Sequence, residues 1–153
     1  MEVYTSRYLN YALLSSGLIV PVRISMIDPR RLLGELPYPL KYSLKALQPE
    51  HSHLGEWPKS CSAMWEKLST IGNENITNQL ASIYRAEGGK HLALCCYEDV
   101  THSRGHQCHR VVLSVWWFER TGRELEEITD EGELLGLRKL HKQTAPVLPE
   151  GAL

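Results

Sequence analysis

His91-Leu92-Ala93-Leu94-Cys95-Cys96-Tyr97-Glu98, residues 91–98, decides the fold. From Leu92 to Cys96 no polar residue interrupts the run. A strand with one wetted face alternates apolar and polar side chains. A continuous apolar run belongs to a strand covered on both faces, as in a parallel sheet. Just upstream, Ile76, Leu80, Ile83 and Tyr84 recur at helical spacing. Asn73 or Asn75 can cap that helix, and Gly88 sits where a terminating glycine belongs. Downstream, Asp99–Gln107 reads as a polar loop containing Gly105. Cys108–Thr121 reads as a largely buried helix stopped by Gly122.

Further out, Val3–Ser6 reads as an opening strand, and Tyr8, Leu9, Ala12 and Leu13 as a short helix. Leu18–Ser25 reads as a strand in which Pro21 argues for an edge position. Residues 28–58 hold five of the eight prolines, so regular structure is not expected to persist there. That segment interleaves Arg30, Arg31, Lys41 and Lys45 with Tyr38, Tyr42 and Trp57. Ser62–Ile71 reads as a helix and Glu124–Thr129 as a last strand. Strands alternating with helices imply an α/β fold, a three-layer sandwich with a mostly parallel sheet. Residues 1–130 form one α/β domain in this reading. Residues 131–153 are a C-terminal extension, partly flexible, with Pro146–Leu153 frayed.

Composition narrows the function. Lys and Arg number 17 against 18 Asp and Glu, a net charge of -1, which excludes a basic nucleic-acid coat but leaves room for a local basic site. The longest apolar run, Val111–Phe118, is far short of the roughly 20 residues that a membrane span needs. No export signal is legible at the N-terminus, so a reducing, cytoplasmic setting is expected. The 4 cysteines are then free thiols, ligands or catalytic groups rather than disulfides.

The chemistry concentrates at the carboxyl end of the central strand, where open parallel sheets bind ligands. Cys108 and His109 stand at a predicted helix N-terminus, whose unpaired N–H groups attract anions and lower a thiol pKa. Arg110 adds a fork of donors suited to phosphate or carboxylate. Cys95 and Cys96 point to opposite faces of the strand, and Cys95 is expected in the core. Zinc is the less favoured reading, and no metal site or other cofactor is assigned. Cys96, His102, His106, Cys108 and His109 supply donor atoms, but without Cys-x-x-Cys spacing, and neighbours such as Cys108 and His109 rarely ligate one ion together.

Thr5 with its neighbours Tyr4 and Ser6, the strand end Leu94-Cys95-Cys96-Tyr97-Glu98, and Cys108-His109-Arg110 opening a helix together resemble the "domain of unknown function 488" family. Trp116-Trp117 and Gly122 fit it as well. Pro37, Pro39, Leu47 and Pro49 fit its shorter, phage- and bacteria-borne branch. The resemblance spans about residues 3–130 and implies a Rossmann-like domain whose activity, as the family name says, is not established. It implies that Cys96, Glu98, Cys108, His109 and Arg110 are the signature positions, with Thr5, Ser6 and Arg7 nearby. The turn between Glu98 and Cys108 departs from the family in its length, and in carrying His102, Arg104 and His106.

Three functions follow from these residues. The first is binding of a phosphate-bearing ligand, a nucleotide or nucleic acid, at the Cys108-His109-Arg110 helix start. Arg110 and Arg7 would contact the anion, Tyr97 or a loop aromatic would stack on a base, and Thr5, Ser6 and Cys96 would complete the binding set. The second is an enzyme with Cys108 as nucleophile or redox thiol, His109 or His106 as base, Glu98 orienting that base, and Cys96 as resolving thiol. The third is a non-catalytic protein-interaction module of the kind a phage encodes. In it, Cys-His-Arg is an architectural corner, with Arg110 bridging to Glu98 or to strand-end carbonyls. Oligomeric state is not set by these features.

Overall fold

The central strand expected from residues 91–98 forms as β4 (His91–Cys96) and lies inside a six-stranded sheet. The computed structural model describes residues 1–49, 56–102 and 107–144, with side chains through 141. Its sheet contains β1 (Val3–Arg7), β2 (Ile19–Arg23), β3 (Tyr42–Ser43), β5 (Glu126–Ile128) and β6 (Leu134–Gly136) around β4. The strand order is β3-β2-β4-β1-β5-β6. All pairings are parallel except β5 with β6. The α/β class and mostly parallel sheet expected from the sequence are thus present. The order is not the 3-2-1-4-5-6 of dinucleotide-binding domains, because β4 inserts between β2 and β1.

Helices cover both faces. On one face Val20, Val22, Leu92 and Leu94 pack against Met64, Leu68, Leu80, Leu113 and Trp116. These come from α3 (Trp57–Ile71), α4 (Asn73–Ala86) and α5 (His109–Thr121). On the other face Ile19, Ala93 and Cys95 pack with Tyr8, Tyr38 and Leu40, and with Leu14 of α1 (Tyr11–Leu14). Period-two alternation along β4 therefore divides Leu92 and Leu94 from Ala93 and Cys95, as the strand geometry requires. The connection leaving β1 and the one leaving β4 run over opposite faces. Adjacent strand ends with that divergence open a crevice.

Prolines mark starts as well as stops. Pro58 stands in the first turn of α3, where its missing N–H costs no hydrogen bond, so the helix begins at Trp57 rather than at residue 62. Pro29 does the same in α2 (Pro29–Leu33), behind the cap residue Asp28. A short 3-10 turn, Lys45–Leu47, follows β3. Pro21 lies where β2 pairs with β4 but not with the two-residue β3, so it occupies a local edge.

Five elements have no counterpart in the sequence reading: α2, β3 and the 3-10 turn, in the segment where regular structure was not expected, and β6 and α6 (Arg138–Thr144). Leu137 and Leu140 are buried against Cys96, Cys108 and Val111. The boundary expected at residue 130 thus falls between two paired strands. Residues 145–153, including the expected frayed end, lie outside the described residues. Among the described residues, no helix is long and apolar enough to cross a membrane.

Candidate thiol–imidazole site

Three elements meet at the site. β4 delivers Cys96 at its last position, and Tyr97 and Glu98 follow in the turn. Cys108 is the N-cap of α5, with extended backbone at φ −99° and ψ 141°, and His109 begins the helix. Ile24 follows β2; its N–H donates to the Cys95 carbonyl at 3.1 Å, and its own carbonyl faces His109. Nε2 of His109 lies 2.9 Å from the Ile24 carbonyl oxygen. A carbonyl only accepts, so Nε2 carries the proton and Nδ1 presents a lone pair.

That lone pair faces two sulfurs. His109 Nδ1 lies 3.8 Å from Cys96 Sγ and 3.8 Å from Cys108 Sγ. The three donor atoms all lie within 4.8 Å of one another, so this Cys-Cys-His cluster can hold a metal ion. The adjacency of Cys108 and His109, expected to keep them apart, does not do so. Cys108 precedes the helix with extended backbone and His109 starts it, and the bend between them turns both side chains to one point.

Arg110 behaves differently from its expected role. It is fully buried and its guanidinium is engaged inside the protein. Nη1 donates to the Ser6 carbonyl at 2.8 Å and to Glu127 Oε2 at 2.8 Å. Nη2 donates to the Glu98 carbonyl, and Nε donates to Cys108 Sγ at 3.3 Å. As an anion contact Arg110 is therefore corrected: it ties the ends of β1 and β4 to β5, as the architectural reading expected. Thr5 and Ser6 are corrected with it. Both are buried, with Thr5 Oγ1 donating to Glu127 Oε2 at 2.8 Å and Ser6 Oγ to the Ile128 carbonyl at 3.2 Å. Arg7 is held by Asp130 and lies 3.8 Å from Asp99.

Glu127 escaped the sequence reading. Leu125 and Glu127 are both buried and two apart, which places Glu127 on the inward face of β5. The residues themselves, Leu125-Glu126-Glu127-Ile128, show no apolar–polar alternation that would have marked it.

Charge in the cluster is set by these contacts. Burial opposes ionisation of Cys108. The hydrogen bond from Cys96, the Arg110 charge and His109 outweigh it and hold the Cys108 thiol well below the ordinary range. Cys96 goes the other way: donating to Cys108, and its own burial, keep its thiol protonated well above that range. Glu98 Oε2 lies 3.2 Å from Cys108 Sγ. Burial and the Cys108 charge raise the Glu98 carboxyl, so a proton on Glu98 can be shared with the thiolate. Glu98 thus meets the thiol and not the His109 imidazole, which corrects its expected role of orienting that histidine.

A cavity of about 280 Å³ opens over the cluster. Cys96, His109 and Glu98 lie along it, with Tyr97, Trp57, Met26 and Ile27 as apolar walls and Ser25, Ser60 and Gln107 as polar points. No Lys or Arg lines it among the described residues. Tyr97 stands edge-on to Tyr8 with ring centroids 5.0 Å apart, and its hydroxyl donates to the Ile27 carbonyl at 2.7 Å. His102 is exposed and lies 3.5 Å from Asp99 rather than near the sulfurs. His106 and Arg104 lie outside the described residues.

Comparison of the chain with protein-family models, with curated proteins and with solved structures finds no match.

Proposed function

We propose that Cys96, Cys108 and His109 hold a zinc ion whose fourth position opens on the cavity, and that the protein acts on a small molecule bound there. The observation that carries this is the placement of His109 Nδ1, 3.8 Å from each sulfur, with Nε2 tied to a carbonyl. Zinc bonds of about 2.3 Å to sulfur and 2.0–2.1 Å to nitrogen, at tetrahedral angles, require about 3.6 Å between sulfur and nitrogen. Each sulfur–nitrogen pair needs a shift of only tenths of an ångström. A ligating histidine whose other nitrogen donates to a carbonyl is the usual outer-shell arrangement, and the Arg110 N–H on Cys108 stabilises a ligand thiolate. A three-residue set leaves one position free, and zinc there would polarise an oxygen of the bound molecule as a Lewis acid. Glu98 lines the same cavity, with Oε2 3.2 Å from Cys108 Sγ, and stands outside the three-residue set.

The test is metal content. Full-length protein equilibrated with zinc and passed through a desalting column is expected to retain about one zinc per chain. Cys96→Ser and His109→Ala are expected to lose it while Cys61→Ser keeps it. Equal zinc in wild type and His109→Ala removes the reading.

A second reading is favoured by the low pKa of Cys108: the thiolate itself is the reactive group and Cys96 its thiol partner. It predicts that the metal-free protein is alkylated fastest at Cys108. The resemblance to the "domain of unknown function 488" family accords with either reading, since the same Cys96, Glu98, Cys108 and His109 carry it.

A further inference from the structure

Beside the cavity lies a second depression of about 450 Å³, lined by Arg23, Met26, Ile27, Asp28, Arg30 and Arg31. Met26 and Ile27 belong to both, so the two spaces are separated by one short wall. The wall is pinned rather than loose. The Ile27 carbonyl accepts from Tyr97 and, at 2.8 Å, from Ser25 Oγ; Arg23 donates to the carbonyls of Ser25 and Met26.

Charge in the depression is unbalanced. Three guanidiniums stand in it against the single carboxylate of Asp28, a net of +2 at neutral pH. Asp28 Oδ2 lies 2.6 Å from Arg30 and 3.7 Å from Arg23. Arg31 is exposed and has no carboxylate partner among the described residues. The cavity next door has no Lys or Arg among the described residues, and its walls are largely aromatic and apolar.

We infer that the protein binds a small phosphomonoester across the Met26–Ile27 wall, with its phosphate in the arginine depression and its other end in the cavity over Cys96 and His109. Guanidiniums suit a phosphate because they present paired N–H donors and stay charged at every relevant pH. The ring faces of Tyr97 and Trp57 suit a flat group in the cavity. Trp57 adds a second sign: its Nε1 is buried with no acceptor among the described residues, a donor left for a group entering the cavity. This inference rests on the cavity being the site of action, and it moves the phosphate from Arg110 to Arg30 and Arg31.

The test compares adenosine 5′-monophosphate, adenosine and inorganic phosphate by calorimetric titration of the full chain, with and without zinc. In wild type the nucleotide is expected to bind at least about tenfold tighter than adenosine. Arg31→Gln should abolish most of that margin while leaving adenosine binding and zinc content unchanged. Asp28→Asn keeps a helix-capping side chain, removes the competing carboxylate, and should widen the margin. Equal affinity for nucleotide and nucleoside in wild type, or a margin unmoved by Arg31→Gln, overturns the proposal. So does failure of the nucleotide to bind at millimolar concentration. Loss of zinc binding with a retained phosphate margin would instead defeat the metal reading alone.

Discussion

Arg110 and Glu127 form an ion pair sealed inside the protein, with side-chain exposures of 0% and 4%. It joins α5 to β5, and through the Ser6 and Glu98 carbonyls it also fixes the ends of β1 and β4. Such a pair gains little over an apolar pair, but removing one partner strands a charge in the interior. Glu127→Ala is therefore expected to lower the unfolding free energy by about 3–5 kcal/mol. Arg110→Met combined with Glu127→Leu should cost less than the two single changes added together. Urea unfolding at pH 7 measures both, and additive losses would contradict the coupling.

The visibility of this region in the sequence was uneven for physical reasons. β4 was legible because burial on both faces demands an apolar run, and the α5 start because Cys108-His109-Arg110 follows a polar loop. The partner Glu127 was not, since a strand of three residues, Glu126–Ile128, is too short to display its alternation. β6 is equally short, with Leu134 exposed. Trp57–Cys61 was hidden by Pro58, read as a breaker where the first helical turn accepts it. The meeting of Cys96 with His109 depends on the Ile24 carbonyl, a backbone atom with no sequence signature.

Zinc occupancy is expected to raise thermal stability. A ligand that binds only the folded state adds about 2.7 kcal/mol when its free concentration is one hundred times Kd. For a chain of 153 residues that corresponds to a rise in Tm of roughly 5–11 °C. Differential scanning calorimetry with zinc, and then with excess chelator, measures it. Cys96→Ser should melt at the same temperature under both conditions.

The other two thiols should be inert in the native protein. Burial pushes Cys61 up to about 12, and burial likewise pushes Cys95 up to about 12, against a partial lowering by Arg110. At pH 7.5 both are protonated and enclosed. Iodoacetamide followed by mass spectrometry is expected to leave Cys61 and Cys95 unmodified until denaturant is added. Native-state labelling of Cys95 at a rate near that of a free thiol would show that the face carrying Ala93 and Cys95 opens.

Asp28 supplies a pH dependence of known sign. The hydrogen bond from the Arg30 side chain lowers its carboxyl most, followed, against slight burial, by the Arg30 backbone N–H and the charges of Arg30 and Arg23, to about 2. A folded pKa below the unfolded value of about 3.9 means that its stabilisation is complete above that value and fades as pH falls toward 2. Carboxyl-detected NMR should place the Asp28 midpoint well below that of exposed aspartates. The same side chain caps α2, accepting from Arg30 N at 2.9 Å, so Asp28→Ala should cost about 1 kcal/mol at pH 7.

Leu137 links the C-terminal elements to the sulfur site. It is fully buried, and with Leu140 it packs on Cys96, Cys108 and Val111. Leu137→Ala removes that cover and leaves a cavity, at a cost of about 2–5 kcal/mol. Water entering there would also compete for the Arg110 N–H that now reaches Cys108. Zinc should then pass to a chelating indicator faster from Leu137→Ala than from wild type. Leu134 of β6 is 56% exposed and is not part of the buried cluster. Leu134→Ala is the matched control, expected to change stability by less than about 0.5 kcal/mol and to leave the zinc transfer rate alone. If both variants released zinc at the wild-type rate, α6 would be a stabilising element with no part in holding the site.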